Sequence, residues 1–274
     1  MHYLESLFNV KNKVVVITGG TGALGTAMAE GLLKAGANVV LLGRNKEKLE
    51  SKLKSLTNLG GEVSGYTCDV LHEDEIREVN RKISEKHLRI DALINAAGGN
   101  MPGATVTPNQ TIFDIKLSEF DKVTQLNFDG TVLTTLIFGK TMAEQKKGSI
   151  INVSSMAVER AISRGVGYSA AKAAVENFTR WMAMELAQKF GDGLRVNAIA
   201  PGFLITDQNR NLLTNEDGSL TERGETIIKL TPFRRFGEPE EFIGSIIWLV
   251  SDASKFVTGT IVAIDGGFNA FSGV

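Results

Sequence analysis

The chain has 274 residues, which is enough for one large α/β domain with a substantial buried core. Its 31 acidic and 30 basic residues nearly cancel, so no net field would attract nucleic acid or an anionic membrane. The single Cys68 cannot form an intramolecular disulfide. No apolar run reaches membrane-spanning length, and residues 1–13 lack the apolar core of a secretory signal. We therefore predict a cytoplasmic protein without nucleic-acid or membrane partners.

Short apolar runs alternate along the chain with segments of helical periodicity. Strands are predicted over residues 14–18, 39–42, 62–68, 92–95, 149–153, 195–199 and 261–264, and the first three helices over 26–35, 46–59 and 74–86. This alternation predicts right-handed βαβ crossovers, and hence a Rossmann-type, doubly wound parallel sheet of about seven strands with helices on both faces. No linker divides residues 1–274, so we predict a single α/β domain with a substrate-loop excursion at about 202–230.

The first predicted strand is followed by a glycine-rich turn, Thr18-Gly-Gly-Thr-Gly-Ala-Leu-Gly25. Gly19, Gly22 and Gly25 would let backbone N–H groups approach a pyrophosphate, which the start of the following helix also attracts. A tight turn that needs positive φ would use the same residues. The position at the first strand of a βαβ series favours dinucleotide binding.

The end of the second predicted strand bears on the choice between NAD and NADP. It reads Leu42-Gly-Arg-Asn45, with no acidic residue to accept hydrogen bonds from a ribose 2′-OH. Gly43 leaves room for a 2′-phosphate, and Arg44 would pair with it bidentately. We therefore favour NADP(H) over NAD(H), although Arg44 taken alone is equally typical of a solvated charge at a helix start.

A tyrosine and a lysine stand four residues apart in Tyr168-Ser-Ala-Ala-Lys172, which places them on one face of a helix. An ammonium beside a phenol favours the phenolate, so we expect Lys172 to lower the pKa of Tyr168 and suit it to proton transfer near neutral pH. Ser155, at the end of a predicted strand, would donate a hydrogen bond to the substrate oxygen. In isolation such a pair is more often an ordinary helix-surface pair.

In combination these motifs resemble those of the short-chain dehydrogenase/reductase family, across essentially the whole chain. The matching pieces follow the family's order and are Thr18-Gly-Gly-Thr-Gly-Ala-Leu-Gly25, Asp69, Asn95-Ala-Ala-Gly98, Asn127, Ser155, Tyr168-Ser-Ala-Ala-Lys172, Pro201-Gly202 and Asp265-Gly-Gly267. Ala23 departs from the pattern, since the family usually has a glycine there, and we expect a modest adjustment of the turn. The resemblance implies an NAD(P)-dependent enzyme that acts on CH–OH groups.

The resemblance also implies the catalytic roles. Tyr168 would be the acid/base, and Lys172 would lower its pKa and hold the nicotinamide ribose. Ser155 would orient the substrate carbonyl or hydroxyl, and Asn127 would anchor a water-linked proton relay through Lys172.

For the cofactor, the resemblance implies that Asp69 contacts the adenine, that Asn95 and Gly98 line the ribose, and that Thr206 binds the nicotinamide carboxamide. For Asp69 taken alone, a turn or cap role is equally common. The complete predicted set is Gly19, Thr21, Gly22, Ala23, Leu24, Gly25, Arg44, Asn45, Asp69, Val70, Asn95, Ala96, Ala97, Gly98, Tyr168, Lys172, Pro201, Gly202 and Thr206.

Two polar loops are predicted to bind the substrate. Arg160 and Arg164 lie close to the catalytic residues in sequence, and Gln208, Asn209 and Arg210 follow in the excursion. Amides suit a hydroxylated substrate and a guanidinium suits a carboxylate, although each arginine alone is more often a surface charge. None of the three histidines falls in a metal-ligand spacing, so no metal site is predicted.

Residues 201–210, 212–223, 231–237 and 265–274 are similar to the branch of the family described as D-mannonate oxidoreductases (fructuronate reductases). This resemblance implies interconversion of D-fructuronate and D-mannonate. The alternatives are a gluconate-type sugar-acid dehydrogenase, a 3-oxoacyl-carrier-protein reductase and, from another class, a non-catalytic nucleotide-sensing regulator. The presence of all the catalytic residues favours an enzyme. The family resemblance further implies a homotetramer, with the helices near 127–145 and 168–188 packed between subunits.

Overall fold

The computed structural model describes residues 3–206 and 209–274. Its strands are β1 (Val14–Thr18), β2 (Asn38–Gly43), β3 (Val63–Thr67), β4 (Ala92–Asn95), β5 (Gly148–Val153), β6 (Leu194–Pro201) and β7 (Ile261–Ile264). Its α-helices are α1 (Tyr3–Leu7), α2 (Ala23–Lys34), α3 (Lys46–Leu56), α4 (Glu73–His87), α5 (Leu117–Thr124), α6 (Gly130–Gln145), α7 (Val166–Phe190), α8 (Arg210–Leu213), α9 (Glu222–Leu230) and α10 (Ile243–Val250). Within these described ranges, no helix combines the length and apolar character needed to cross a membrane.

The seven strands form one parallel sheet in the order β3-β2-β1-β4-β5-β6-β7. The predicted fold class, a Rossmann-type doubly wound sheet of about seven strands with helices on both faces, is confirmed. Helix α2 begins at Ala23 rather than at the predicted residue 26, because the end of the glycine-rich turn is already helical. Helix α3 ends at Leu56 rather than at residue 59, because Thr57 is extended and Asn58 adopts a positive φ of 67°.

Apolar side chains cover both faces of the sheet. On one face, Val15 and Ile17 of β1 belong to a core formed with α2, α3 and α10. On the other face, Val14 and Val16 belong to a core formed with α4, α6 and α7. All five residues of β1 are buried, which explains why this strand is a continuous apolar run rather than an alternating one.

A buried polar network crosses the sheet between β4 and β5. Asn95 and Asn152 are register partners, and the Asn95 amide donates to Asn152 Oδ1 at 2.9 Å. Asn95 also donates to Thr135 Oγ1 and accepts from Thr134 Oγ1 on α6, and Asn152 donates to Thr179 Oγ1 on α7. Because a buried amide is costly unless it is hydrogen-bonded, the network ties both helices to specific positions on the strands.

Candidate active site

The candidate site is a cleft at the carboxyl ends of β1, β4 and β5. From β1 the chain continues to β2 on one side, and from β4 it continues to β5 on the other. In doubly wound folds this reversal opens a crevice that binds ligands. Two cavities of about 180 and about 280 Å³ adjoin there, with Ala96 and Gly98 in the wall of both.

Most of the predicted cofactor residues line these two cavities. The first is lined by Gly19, Thr21, Gly22, Arg44, Val70, Ala96, Ala97 and Gly98, and the second by Leu24, Ala96, Gly98, Tyr168, Lys172, Pro201, Gly202 and Thr206. The cleft thus runs from the glycine-rich turn and Arg44 at one end to the side chains predicted to be catalytic at the other.

The glycine-rich turn forms one wall of the first cavity. Gly19 has a φ of 63°, and a Cβ there would lie 2.7 Å from the carbonyl oxygen of Ala96, so glycine is required. Gly22 is the N-cap of α2, and no side chain caps the first turn of that helix. The backbone N–H groups in the first turn of α2 are therefore available to an anionic ligand. Ala23, which departs from the family pattern, is exposed at the first position of the helix.

We expect Gly25→Ala to lower the free energy of unfolding by about 1–3 kcal/mol, the usual cost of overpacking. An added Cβ would lie 2.5 Å from the Gly19 carbonyl oxygen, and that backbone cannot move without changing the turn. Gly22→Ala is the matched control. Its Cβ would be 3.4 Å from the same oxygen at a φ of −80°, so we expect less than about 0.5 kcal/mol. Equal losses in a urea titration of the two variants would contradict this account.

Arg44 lies at the outer end of the first cavity. Its side chain is 61% exposed, and Nη1 is 3.9 Å from the carboxylate of Asp69, which also accepts the Leu71 N–H. Asn45 does not line the cavity, because its Oδ1 caps helix α3 by accepting the Lys48 N–H at 2.7 Å. Arg44 is therefore a cation at this end of the described cleft whose pairing with Asp69 is long and exposed, and the Asn45 side-chain oxygen is committed to the helix.

The prediction that Asn95 lines the ribose must be corrected for its side chain. That side chain is 2% exposed, and its amide is used by the buried polar network. The residue is the last of β4, and its side chain lies between β5 and α6. The backbone then turns toward the cleft, where the N–H groups of Ala96 and Ala97 each donate to Thr18 Oγ1 at 3.1 Å. This turn brings Gly98 to the junction of the two cavities.

The predicted catalytic serine, tyrosine and lysine meet in the second cavity. The Tyr168 hydroxyl interacts with the Ser155 side chain, and both residues line the cavity. Lys172 Nζ lies 5.7 Å from the centroid of the Tyr168 ring and donates to the Val153 carbonyl at 2.7 Å. Tyr168 and Lys172 are one turn apart on α7, while Ser155 lies two residues after the end of β5. A helix and a strand end therefore hold the three groups together.

The pKa of Tyr168 is shifted in the opposite direction to the one predicted. Burial raises the pKa of Tyr168 above its ordinary value, and the interaction with Ser155 only partly opposes the rise. Burial also lowers the pKa of Lys172 to about 8. The expected lowering of the Tyr168 pKa by Lys172 is therefore not observed. The ammonium of Lys172 is directed to the Val153 carbonyl rather than to the phenol oxygen.

Asn127 lies in a π-helical turn, Gln125–Asp129, between α5 and α6. Its Oδ1 accepts the Gly99 N–H at 3.0 Å, and its Nδ2 donates to the Gly99 carbonyl at 2.8 Å. A Cβ built on Gly98 would be 2.6 Å from Asn127 Oδ1 and 3.2 Å from Lys172 Nζ, so these groups adjoin. Turns of this kind often occur at functional sites. The structure places Asn127 beside Lys172, with its amide holding the cavity wall.

A third cavity, of about 570 Å³, adjoins the second. The two share Ile162 and Phe203 as walls. Arg164, one of the predicted substrate residues, lines the third cavity together with Arg223 from α9. Arg223 was not among the predicted site residues. A basic residue in the first turn of a helix, where the helix dipole disfavours cations, is the signal that would have singled it out.

Two other predicted substrate arginines lie elsewhere. Arg160 donates from Nε and Nη2 to the carbonyl of Asn269, at 3.1 and 2.7 Å, and so anchors the C-terminal segment. Arg210 is exposed at the start of α8 and lines none of the three cavities. The prediction for both is corrected, because Arg160 is bonded to the C-terminal segment and neither arginine lines the three cavities. Gln208 lies outside the described residues.

Asn209 lines the second cavity but is occupied by its own loop. Its Oδ1 accepts the Thr206 N–H at 2.7 Å, and its Nδ2 donates to the Leu204 carbonyl at 2.8 Å. These bonds fix the loop that carries Thr206 over the cleft. The structure therefore favours a loop-shaping role for Asn209 over the predicted substrate contact.

Known proteins are similar to this chain in sequence and in fold. A model of the short-chain dehydrogenase/reductase family, described as enoyl-(acyl carrier protein) reductase, matches residues 20–269. An uncharacterized oxidoreductase of Bacillus subtilis, UxuB, is 42% identical over 97% of this chain and 98% of its own length. The chain belongs to the short-chain dehydrogenase/reductase family. It is an oxidoreductase that acts on alcohol groups with a nicotinamide cofactor, as predicted, and not the alternative non-catalytic regulator.

Other members of the family carry more specific descriptions. A Haemophilus influenzae structure with bound NAD, provisionally described as a D-mannonate oxidoreductase, is 39% identical at a TM-score of 0.90 and covers 97% of this chain and 98% of its own. A 3-oxoacyl-[acyl-carrier-protein] reductase of Thermotoga maritima is 35% identical over 94% of this chain and 98% of its own length. A 2-dehydro-3-deoxy-D-gluconate 5-dehydrogenase of Formosa agariphila is 33% identical over 97% of this chain and 96% of its own length.

Proposed function

We propose that this short-chain dehydrogenase/reductase interconverts the keto and hydroxy forms of a sugar acid, with D-fructuronate and D-mannonate as the substrate pair. The observation that carries the proposal is that Ser155, Tyr168 and Lys172 meet in the second cavity, which adjoins the third cavity, lined by Arg164 and Arg223. In the reducing direction, the Tyr168 hydroxyl donates a proton to the substrate oxygen while the carbonyl carbon accepts a hydride. In the oxidising direction, the same oxygen accepts the proton.

The remaining polar groups support this proton transfer. The Ser155 hydroxyl orients the substrate oxygen toward Tyr168 and stabilises its developing charge. Lys172, when protonated, stabilises a phenolate on Tyr168 once substrate and cofactor have filled the cavity. Asn127 holds the Gly99 backbone next to Lys172 and so keeps the cavity wall in place.

The first cavity suits the phosphate-bearing half of a dinucleotide. The uncapped start of α2 offers N–H donors to a pyrophosphate, and Gly19 and Gly25 permit the close backbone packing behind them. Gly98, at the junction, leaves space beside Asn127 and Lys172 that a larger residue would fill. A nicotinamide bound in the second cavity would supply or accept the hydride.

Two observations support a sugar acid as the substrate. The third cavity is lined by polar groups and by Arg164 and Arg223, which suit hydroxyl groups and a carboxylate. The 39% identical Haemophilus influenzae structure is provisionally described as a D-mannonate oxidoreductase, and the Formosa agariphila relative is a dehydrogenase of another sugar acid. The excursion at 202–230, which carries Arg223, is accordingly proposed as the substrate loop of one catalytic domain.

A panel of hexuronates, aldonates and 2-keto-3-deoxy acids, scanned with NADH, NADPH and their oxidised forms, tests the proposal through absorbance at the nicotinamide band. We expect turnover of D-fructuronate or D-mannonate. The same panel includes a gluconate, for the sugar-acid alternative. No turnover of any sugar acid would contradict the proposed function.

A 3-oxoacyl-carrier-protein reductase is the second candidate, because the Thermotoga maritima relative with that activity in its name is 35% identical. Such an enzyme must accept an apolar acyl chain. The apolar part of the third cavity, Leu212, Ile227, Leu230 and Phe268, would be its binding surface. Acetoacetyl thioesters in the substrate panel separate the two candidates.

We expect Arg44→Ala to weaken NADPH binding by about 10- to 100-fold and NADH binding by less than about threefold. The loss is that of a charge-assisted bidentate contact to the 2′-phosphate. The exposed pairing with Asp69 holds Arg44 only weakly, so the guanidinium is free to turn to a phosphate. Lys54→Ala, which removes an exposed cation from the far end of α3, is the control. Equal losses of affinity for both cofactors in fluorescence titrations would show that Arg44 does not bind the 2′-phosphate. That result would also contradict the proposed preference for NADP(H).

We also propose a homotetramer in the cytoplasm. Helices α6 and α7 expose Leu136, Trp181, Met184 and Phe190, each more than 40% accessible. Apolar side chains of this size on two neighbouring helices are typical of a subunit interface. Sedimentation equilibrium of the purified chain measures the subunit number.

A further inference from the structure

The third cavity holds two cations without a protein counter-ion. Among the described residues, neither Arg164 nor Arg223 forms a salt bridge, although Glu222 also lines the cavity. Burial and the charge of Arg164 lower the pKa of Arg223 from its ordinary value. Two like charges held at one cavity repel each other, and the repulsion is relieved when an anion lies between them.

The Arg223 side chain and the Arg164 backbone are held in place by contacts that do not neutralise the two charges. Arg223 Nη1 donates to Ser163 Oγ at 2.7 Å, which links α9 to the loop before α7. Arg164 has a φ of 80°, a conformation that a non-glycine residue rarely adopts, and its carbonyl accepts the Val106 N–H. Strained backbone of this kind is found at ligand sites, where the surrounding contacts maintain it.

The position of the pair relative to the reacting groups indicates which ligand it meets. The third cavity shares Ile162 and Phe203 with the cavity of Ser155 and Tyr168. A substrate that binds with its carbonyl at Tyr168 and extends past these walls would enter the cavity that the arginines line. In D-fructuronate, the carboxylate is at the opposite end of the six-carbon chain from the reacting carbonyl and its neighbouring CH₂OH group.

We infer that Arg164 and Arg223 together bind the carboxylate of the sugar acid and so determine that the enzyme selects acids over neutral ketoses. This inference rests on the proposed function. Arg223 is carried by the excursion and Arg164 by the loop before α7, so one anion bridges two separate segments of the chain. Guanidinium groups suit this task because each can donate two parallel hydrogen bonds to a carboxylate.

The test compares D-fructuronate with D-fructose, which has the same carbon skeleton without the carboxylate. We expect Arg223→Gln and Arg164→Gln each to lower kcat/KM for D-fructuronate by about 10- to 100-fold, mainly through KM. Activity toward D-fructose should change by less than about threefold, and this retained activity shows that the variants are folded. Lys229→Gln, which removes an exposed cation from α9 outside the cavity wall, is the control and should retain the acid preference.

Calorimetric titration of the cofactor-bound enzyme with D-mannonate gives a second readout that needs no turnover. We expect wild type to bind and both glutamine variants to lose at least about tenfold in affinity. If wild type uses the sugar acids but the arginine variants retain the full preference for D-fructuronate over D-fructose, the inference is wrong and the proposed function stands. If wild type uses no sugar acid, the proposed function fails and the inference fails with it.

Discussion

Tyr168→Phe is expected to lower kcat by about 10²–10⁴-fold, the usual contribution of a positioned acid or base. The change removes only the hydroxyl that interacts with Ser155 and leaves the ring beside Lys172, so the cavity keeps its shape. Cofactor affinity should therefore change by less than about threefold. Steady-state kinetics and a fluorescence titration of the cofactor measure the two quantities separately.

Tyr66→Phe is the matched control for this variant. It removes a hydroxyl from β3, at the edge of the sheet and outside the three cavities, and should retain wild-type kcat. Near-wild-type turnover by Tyr168→Phe would mean that another group transfers the proton. A large loss in both variants would point to a general effect of lost hydroxyl groups rather than to catalysis.

Lys172→Met is expected to lower kcat by about 100-fold or more while changing how stability depends on pH. Lys172 is 3% exposed, and burial lowers its pKa to about 8 from 10.5. Between pH 8 and 10.5 the unfolded chain binds this proton and the folded chain does not, so wild-type stability rises with pH in that window. Below pH 8 both states are protonated and the full cost of burying the charge is present.

The methionine variant lacks this titration, so the stability of wild type relative to the variant should rise by about 3 kcal/mol from pH 8 to 10.5. The loss of a partner for the Val153 carbonyl shifts the variant by an amount that does not depend on pH. Lys189→Met, which replaces an exposed lysine on the same helix, should track wild type throughout. A pH-independent difference for Lys172→Met, from urea titrations across the range, would show that Lys172 keeps its ordinary pKa.

The features that could be predicted from sequence are those with a local physical cause. Strands buried on both faces must be continuous apolar runs, so β1 was located at its observed ends. The spacing of Tyr168 and Lys172 fixes them on one helical face, and the observed helix α7 carries both. The order of the motifs then identified the family, which placed the cleft at the ends of the central strands.

The features that could not be predicted depend on long-range packing. Asn95 stands in a motif, but only the completed sheet shows that its side chain bonds to α6 and β5 rather than to a ligand. The raised pKa of Tyr168 follows from its burial, which no local pattern reveals. Arg223 is more than 50 residues from Tyr168 in the chain, and the path of the excursion brings it to the cavity. Arg160 shows the converse, since proximity in sequence did not place it in the site.

The hydrogen-bonded side chains of Asn95 and Asn152 affect how β4 and β5 align with each other. Strands β4 and β5 are buried, and sliding one along the other by one residue would turn its side chains to the opposite face of the sheet. Such a slip would separate Asn95 from Asn152 and leave two amides without this hydrogen bond in an apolar interior. Gly98 and Ser155 each follow three residues after a member of this pair. The two amides therefore fix the register of β4 and β5. They thereby also fix the relative positions of Gly98 and Ser155 on opposite walls of the cleft.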